Sequence, residues 1–209
     1  RSSAASDVYK RQTLNYDGLE VIKPSKLGLK ADYGDFTQGM KIVETTEKAV
    51  QTVYDMTRTK RAHVDQKATM LTLKLVNDKG YPLQITFYIA NNDVAYRYTL
   101  LPVKDENPRC AVVYGETSSF NFPDETRTFM TPQIQPMSGW QRTKPSYEEE
   151  FVPDARLTDK SKYGVGYTFP CLFRIPNKGN NMWILISETG TSSYPGCRLS
   201  EYEPAKGYY

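Results

Sequence analysis

From Leu71 to Leu100, outside two short breaks, apolar side chains fall on every second residue. That period confines the stretch to a pleated backbone with one buried face. Leu71, Leu73 and Leu75 alternate with Thr72 and Lys74, Asn77-Asp78-Lys79-Gly80 supplies turn chemistry, and Leu83, Ile85, Phe87 and Ile89 resume the period. Asn91-Asn92-Asp93 makes a second turn, after which Val94, Tyr96, Tyr98 and Leu100 share one face while Arg97 points to the other. The spacing predicts three antiparallel strands in a meander.

Further strands are expected at Leu19 to Ile22, Leu27 to Lys30, Ala111 to Tyr114, Tyr167 to Ile175 and Met182 to Ser187, each bounded by Gly, Pro, Asn or Asp. No segment sustains a 3.6-residue apolar period, so the fold class is all-β, a sandwich of antiparallel sheets. Thr131 to Tyr163 reads differently. Pro132, Pro136, Pro145 and Pro153, with Trp140 and the run Glu148-Glu149-Glu150, mark a long ordered loop rather than a strand.

A chain of 209 residues with 39% hydrophobic content can bury most of one large β domain, but it is too short for that domain plus a catalytic barrel. The net charge of +3 arises from 27 basic and 24 acidic residues spread along the chain, so there is no basic stripe to follow a phosphate backbone, and nucleic acid is not expected as a partner. Nor does any apolar run approach the roughly 20 residues of a membrane span. Sixteen Tyr, eight Phe and two Trp suit half-buried strands and also sugar-stacking surfaces, strand packing being the simpler account. Cys110, Cys171 and Cys197 lie far apart without a C-x-x-C, which argues against zinc or redox chemistry and leaves room for a single disulfide.

Hydrolytic triads are equally unsupported. His63 is the sole histidine and has no nucleophile elbow near it. The glycines of Tyr163-Gly164-Val165-Gly166-Tyr167 lack the third glycine of a phosphate loop and read as a strand entry. Glycoside hydrolysis needs two carboxylates flanking the bond. Glu148 to Glu150 read more simply as a solvated loop face.

The two ends carry their own message. Ser2 to Gln12 resembles the in-frame translation of a transposase-type sequencing adapter, so residues 1–12 are read as a translated scar and the domain as residues 13–209. Any signal peptide would have been lost with the native start. Glu203 to Tyr209 resembles a turn entering a strand, which suggests truncation at that end. Sheet edges left open by missing strands would make residues 13–209 prone to aggregate.

Four collinear stretches give a family reading. They are Lys26-Leu27-Gly28-Leu29-Lys30 running to Gly34-Asp35-Phe36, then Asn92 to Tyr98, then Gly139-Trp140 through Tyr147 to Glu150, and lastly Trp183 to Leu199. In this order and spacing they resemble the N-terminal domain of glycoside hydrolase family 97, and the likeness covers nearly everything from Thr13 onward. The resemblance implies a β-super-sandwich similar to galactose mutarotase, packed on a (β/α)8 barrel that holds the catalytic carboxylates. It implies hydrolysis of α-glucosidic or α-galactosidic bonds in oligosaccharides by a calcium-dependent, periplasmic or secreted enzyme. The chain alone would then be inactive.

One functional residue carries over. The family uses a Glu of this domain as a calcium ligand beside carboxylates of the barrel, and the matching position is Glu188 in Ile186-Ser187-Glu188-Thr189-Gly190. Taken by itself, Glu188 reads as an exposed strand-end carboxylate paired to Arg198; the resemblance favours the ligand. Trp140 and Glu149 are candidates for lining the mouth of the active site, although Trp140 reads as well as a loop anchor. The rival readings are a free-standing carbohydrate-binding or mutarotase-like sandwich, in which aromatics such as Trp140 hold sugar without cleaving it, and a purely structural surface sandwich without a site. The single histidine counts against mutarotase chemistry.

Overall fold

A computed structural model describes residues 9–103, 111–134, 150–191 and 196–209. In chain order its strands are β1 (Lys10–Tyr16), β2 (Leu19–Leu27), β3 (Leu29–Ala31), β4 (Gly34–Asp35), β5 (Lys41–Asp55), β6 (His63–Val76) and β7 (Pro82–Ile89). They continue with β8 (Val94–Leu100), β9 (Val113–Glu116), β10 (Arg127–Pro132), β11 (Val152–Arg156), β12 (Tyr167–Ile175) and β13 (Met182–Ile186). The strands form four sheets, ordered β1-β2, β11-β10-β12-β13, β4-β3-β9 and β5-β6-β7-β8. The all-β sandwich expected from the sequence is what forms, and it divides into two compact units, one built around Leu27–Ser118 and one joining Arg11–Lys26 to Ser119–Tyr209.

In the first unit the alternation becomes a ladder without slips, running from Val76↔Pro82 to Thr69↔Ile89 and from Leu83↔Leu100 to Ile89↔Val94. Leu75, Leu83 and Ile85 thereby share one face, which packs on Leu27, Leu29, Ala31, Phe36 and Met40. Asn77 closes the first turn as read, its Oδ1 accepting the amides of Lys79 at 3.0 Å and Tyr81 at 2.9 Å, with Gly80 at φ +81°. Gly28 is required by its surroundings: at φ +145° a Cβ would stand 2.5 Å from the Phe36 carbonyl oxygen.

The longest strand, β5, was not expected. It is exposed along nearly its whole length, so it carries no apolar alternation, yet it pairs with β6 from Lys41↔Val76 to Asp55↔His63. His63 sits at the far end of this ribbon, exposed, with Nδ1 2.8 Å from Asp55 Oδ1.

In the second unit Val21 and Ile22 of β2 pack with Met130, Cys171, Phe173 and Ile175 of the four-stranded sheet. The rings of Phe122 and Phe173 stack at 4.1 Å. Strand β12 has the predicted span, and β13 ends one residue short of it. The loop reading for Thr131 to Tyr163 needs correcting at both ends: Thr131 and Pro132 belong to β10, and Val152–Arg156 forms β11. The latter is an edge strand, where Pro153 needs no ladder partner, and its exposed residues give no periodic signal. Residues 135–149 of that stretch lie outside the described residues. At the other end, β1 starts at Lys10, inside the segment read as a scar.

Candidate functional site

Glu188 follows β13 by two residues, and what holds it arrives from a distant part of the chain. Leu199 is buried in the core of the second unit and exchanges two backbone hydrogen bonds with Tyr167, at 2.8 and 3.0 Å. Gly166 makes that approach possible: at φ +96° a Cβ there would stand 2.1 Å from the Leu199 carbonyl oxygen. Gly166, read with Gly164 as a strand entry, does lead into β12 and is also a place of backbone contact, whereas Gly164 faces open space among the described residues. Two residues before Leu199, the Cys197 amide donates to both carboxylate oxygens of Glu188, at 2.8 and 2.9 Å. Glu188 is half-buried.

This differs from the simple expectation of a pair with Arg198, since among the described residues no Glu188–Arg198 ion pair forms. An ionised carboxylate offers about four lone-pair sites, and one forked amide leaves oxygen available for a cation. Calcium takes roughly six to eight oxygens. Among the described residues no group of three His, Cys, Asp or Glu side chains gathers as a metal cluster. The chemistry of Glu188 thus fits a contributing ligand and not a complete site.

A second carboxylate, which sequence reasoning did not single out, organises the neighbouring turn. Glu201 accepts the amides of Gly166 at 2.9 Å and Ser161 at 3.1 Å and bonds the Ser161 hydroxyl, fixing the loop that receives Leu199. Its role is structural. The alternation of the segment gave no hint of it, because both partner residues, Ser161 and Gly166, are remote in sequence.

Among the described carboxylates, every resolved shift in acidity is downward. Asp124 is held low by its 2.8 Å bond to Lys23, and Asp159 by the Arg156 amide and guanidinium. Partial burial pulls Asp35 upward, but the Thr37 hydroxyl and amide outweigh it and hold the carboxyl low. A glycosidase general acid needs the opposite shift. None of these three is suited to that role.

Trp140 and Glu149 lie outside the described residues. The other tryptophan, Trp183 on β13, is about half exposed and forms an aromatic face with Phe129, ring centroids 5.3 Å apart. The Arg174 guanidinium lies over both rings and bonds Asp154 at 2.6 Å. Leu185 extends this face. Cys171 is a buried free thiol and Cys197 is exposed; Cys110 lies outside the described residues.

Comparison with known proteins places these features. Residues 6–209 match the family described as Glycosyl-hydrolase 97 N-terminal. A solved β-arabinopyranosidase is similar over 96% of this chain and 31% of its own, with 42% identity and a TM-score of 0.88. A glycoside hydrolase family 97 enzyme from Pseudoalteromonas sp. strain K8, solved in complex with panose, matches 97% of this chain and 30% of its own at 15% identity and a TM-score of 0.61, a likeness of fold alone. A probable retaining α-galactosidase of Streptomyces bingchenggensis (strain BCW-1) is 25% identical over 113 residues, which are 54% of this chain and 17% of that protein. The chain therefore spans about a third or less of these relatives.

Proposed function

The chain belongs to the glycosyl-hydrolase 97 family as its N-terminal domain, and from that membership we propose that it is the non-catalytic part of a calcium-dependent α-glycosidase acting on oligosaccharides. In this reading Glu188 donates carboxylate oxygen to a calcium completed by acidic residues of a (β/α)8 barrel. The barrel also carries the catalytic carboxylates. The observation that supports it is the pose of Glu188: half-buried, just past a strand end, with both oxygens held by one backbone amide. Such fixing of a ligand before the metal arrives lowers the cost of binding. When bound, the ion would polarise the reacting water or a sugar oxygen. The same reading places the enzyme in the periplasm or outside the cell.

The test uses the full-length protein. Glu188→Gln keeps the shape and removes the charge, and it is expected to weaken calcium binding about 10- to 100-fold, read by calorimetry, with hydrolysis falling in step at limiting calcium. Activity is assayed on an α-galactoside, an α-glucoside and a β-L-arabinopyranoside, the last having the ring configuration of the first without its CH2OH group. A wild-type protein that neither binds calcium nor loses activity in chelator would refute the proposal.

A second reading, sugar binding without cleavage, draws support from the exposed Trp183–Phe129 face with its Arg174–Asp154 pair, since pyranose C–H faces stack on such rings. A full-length protein inert on all three glycosides, whose tryptophan fluorescence nonetheless responds to panose, would favour it.

A further inference from the structure

The glycine beside the site raises its own question, because its backbone gives no reason for it. Gly196 is not among the residues at positive φ, so an alanine could adopt its conformation. Among the described residues, what a side chain would meet is one neighbour: a Cβ at position 196 would stand 2.7 Å from Glu188 Oε1, and the next such atom, 3.8 Å away, belongs to the same carboxylate. The neighbour is the tip of a flexible side chain. It would yield before the backbone did.

We infer that Gly196 is a positioning residue for Glu188, whose missing side chain leaves the space in which the carboxylate meets the Cys197 amide. Gly196 and Cys197 then act as a pair, one supplying room and the other the donor. A methyl group at 196 would push Oε1 away and break the forked bond at 2.8 and 2.9 Å, leaving a carboxylate that samples several rotamers. The fold should tolerate this, since Gly196 is exposed and the anchoring Leu199–Tyr167 bonds do not involve it. The cost should fall on the cation. This inference rests on the calcium reading above.

The experiment compares wild type, Gly196→Ala, Glu188→Gln and the double variant as full-length proteins, each by calcium titration calorimetry and by thermal unfolding in chelator. We expect Gly196→Ala to raise the calcium dissociation constant about tenfold or more while moving the chelator melting temperature by no more than roughly 2 °C. In the Glu188→Gln background the same alanine should change the constant little, because its effect passes through the carboxylate. Unchanged calcium binding in Gly196→Ala overturns the inference, and so does a large fall in its chelator melting temperature, which would mark the glycine as structural. Equal losses in both backgrounds also overturn it. If the wild type binds no calcium, the proposed function fails at the same point, and that outcome is distinct from the other three.

Discussion

Each unit sets a small sheet against a four-stranded one, yet the two are held by different means. In the first, β6, β7 and β8 pair without a slip, and side chains reach the core simply by alternating. In the second, β10 slips register against both its neighbours, and Leu199 meets Tyr167 through one isolated bridge that only a glycine at 166 permits. Regular pairing repeats one local rule. Close backbone approach depends on residues brought from elsewhere in the chain; the first unit has it at Gly28, and the second has it beside Glu188. A carboxylate can be held by a near neighbour, as Asp35 is by the Thr37 amide, but Glu188 is held by an amide nine residues on whose chain is anchored through Leu199.

Core truncations should separate the units most strongly. Phe173→Ala removes a fully buried ring stacked on Phe122 and is expected to cost about 3–5 kcal/mol, whereas Leu75→Ala in the first unit should cost about 2–5 kcal/mol. Urea unfolding of both variants, with calcium titration of each, sharpens the comparison: on the calcium reading proposed above, only the Phe173 variant should also weaken cation binding. Equal weakening by both would break it.

Alkaline pH gives a smaller contrast. Burial pushes the Cys171 thiol from 9.0 up to about 12, so the neutral thiol is favoured in the folded state. Its contribution is fully present below pH 9 and is lost as pH rises from 9 towards 12, by at most about 1.4 kcal/mol per pH unit. The phenols of Tyr167 and Tyr209 are raised by the same cause and add to the loss at higher pH. Comparing urea midpoints at pH 8 and 10, Cys171→Ala should flatten the decline; an unaltered slope would count against a buried, neutral thiol.

The smallest effect belongs to the outer part of the β5–β6 ribbon. Val53 is 55% exposed, and Val53→Thr should change stability by no more than about 0.5 kcal/mol. A larger loss in a denaturant titration would mean that this strand is covered in solution.

These differences also explain what could be read in the sequence. The meander through Leu100 and strand β12 were legible because burial on one face writes itself as a period of two. Strand β5 was not, since a strand exposed on both faces has no such period and is specified by its partner β6. Strand β11 was hidden by Pro153 and its charged neighbours. Glu188 was singled out only through the family resemblance, and its bonding was not foreseen: read by itself it had Arg198 as its partner because side chains are what a sequence displays, whereas the donor is a main-chain amide. Gly166 and Gly196 looked alike as letters. One accommodates a backbone and the other a side chain, a distinction that appears only when Leu199 and Glu188 are brought beside them.

The short link from Leu199 back to Cys197 has a consequence for how the site moves. An amide at the surface normally trades its proton with water quickly, and Cys197 is exposed. Because its hydrogen is engaged by Glu188 and its chain is anchored two residues later in the core, exchange there requires either the carboxylate to swing away or the second unit to open. That single proton is a clock on the pose of Glu188: slow when the carboxylate is held in place, fast when it is not, and readable without substrate or metal.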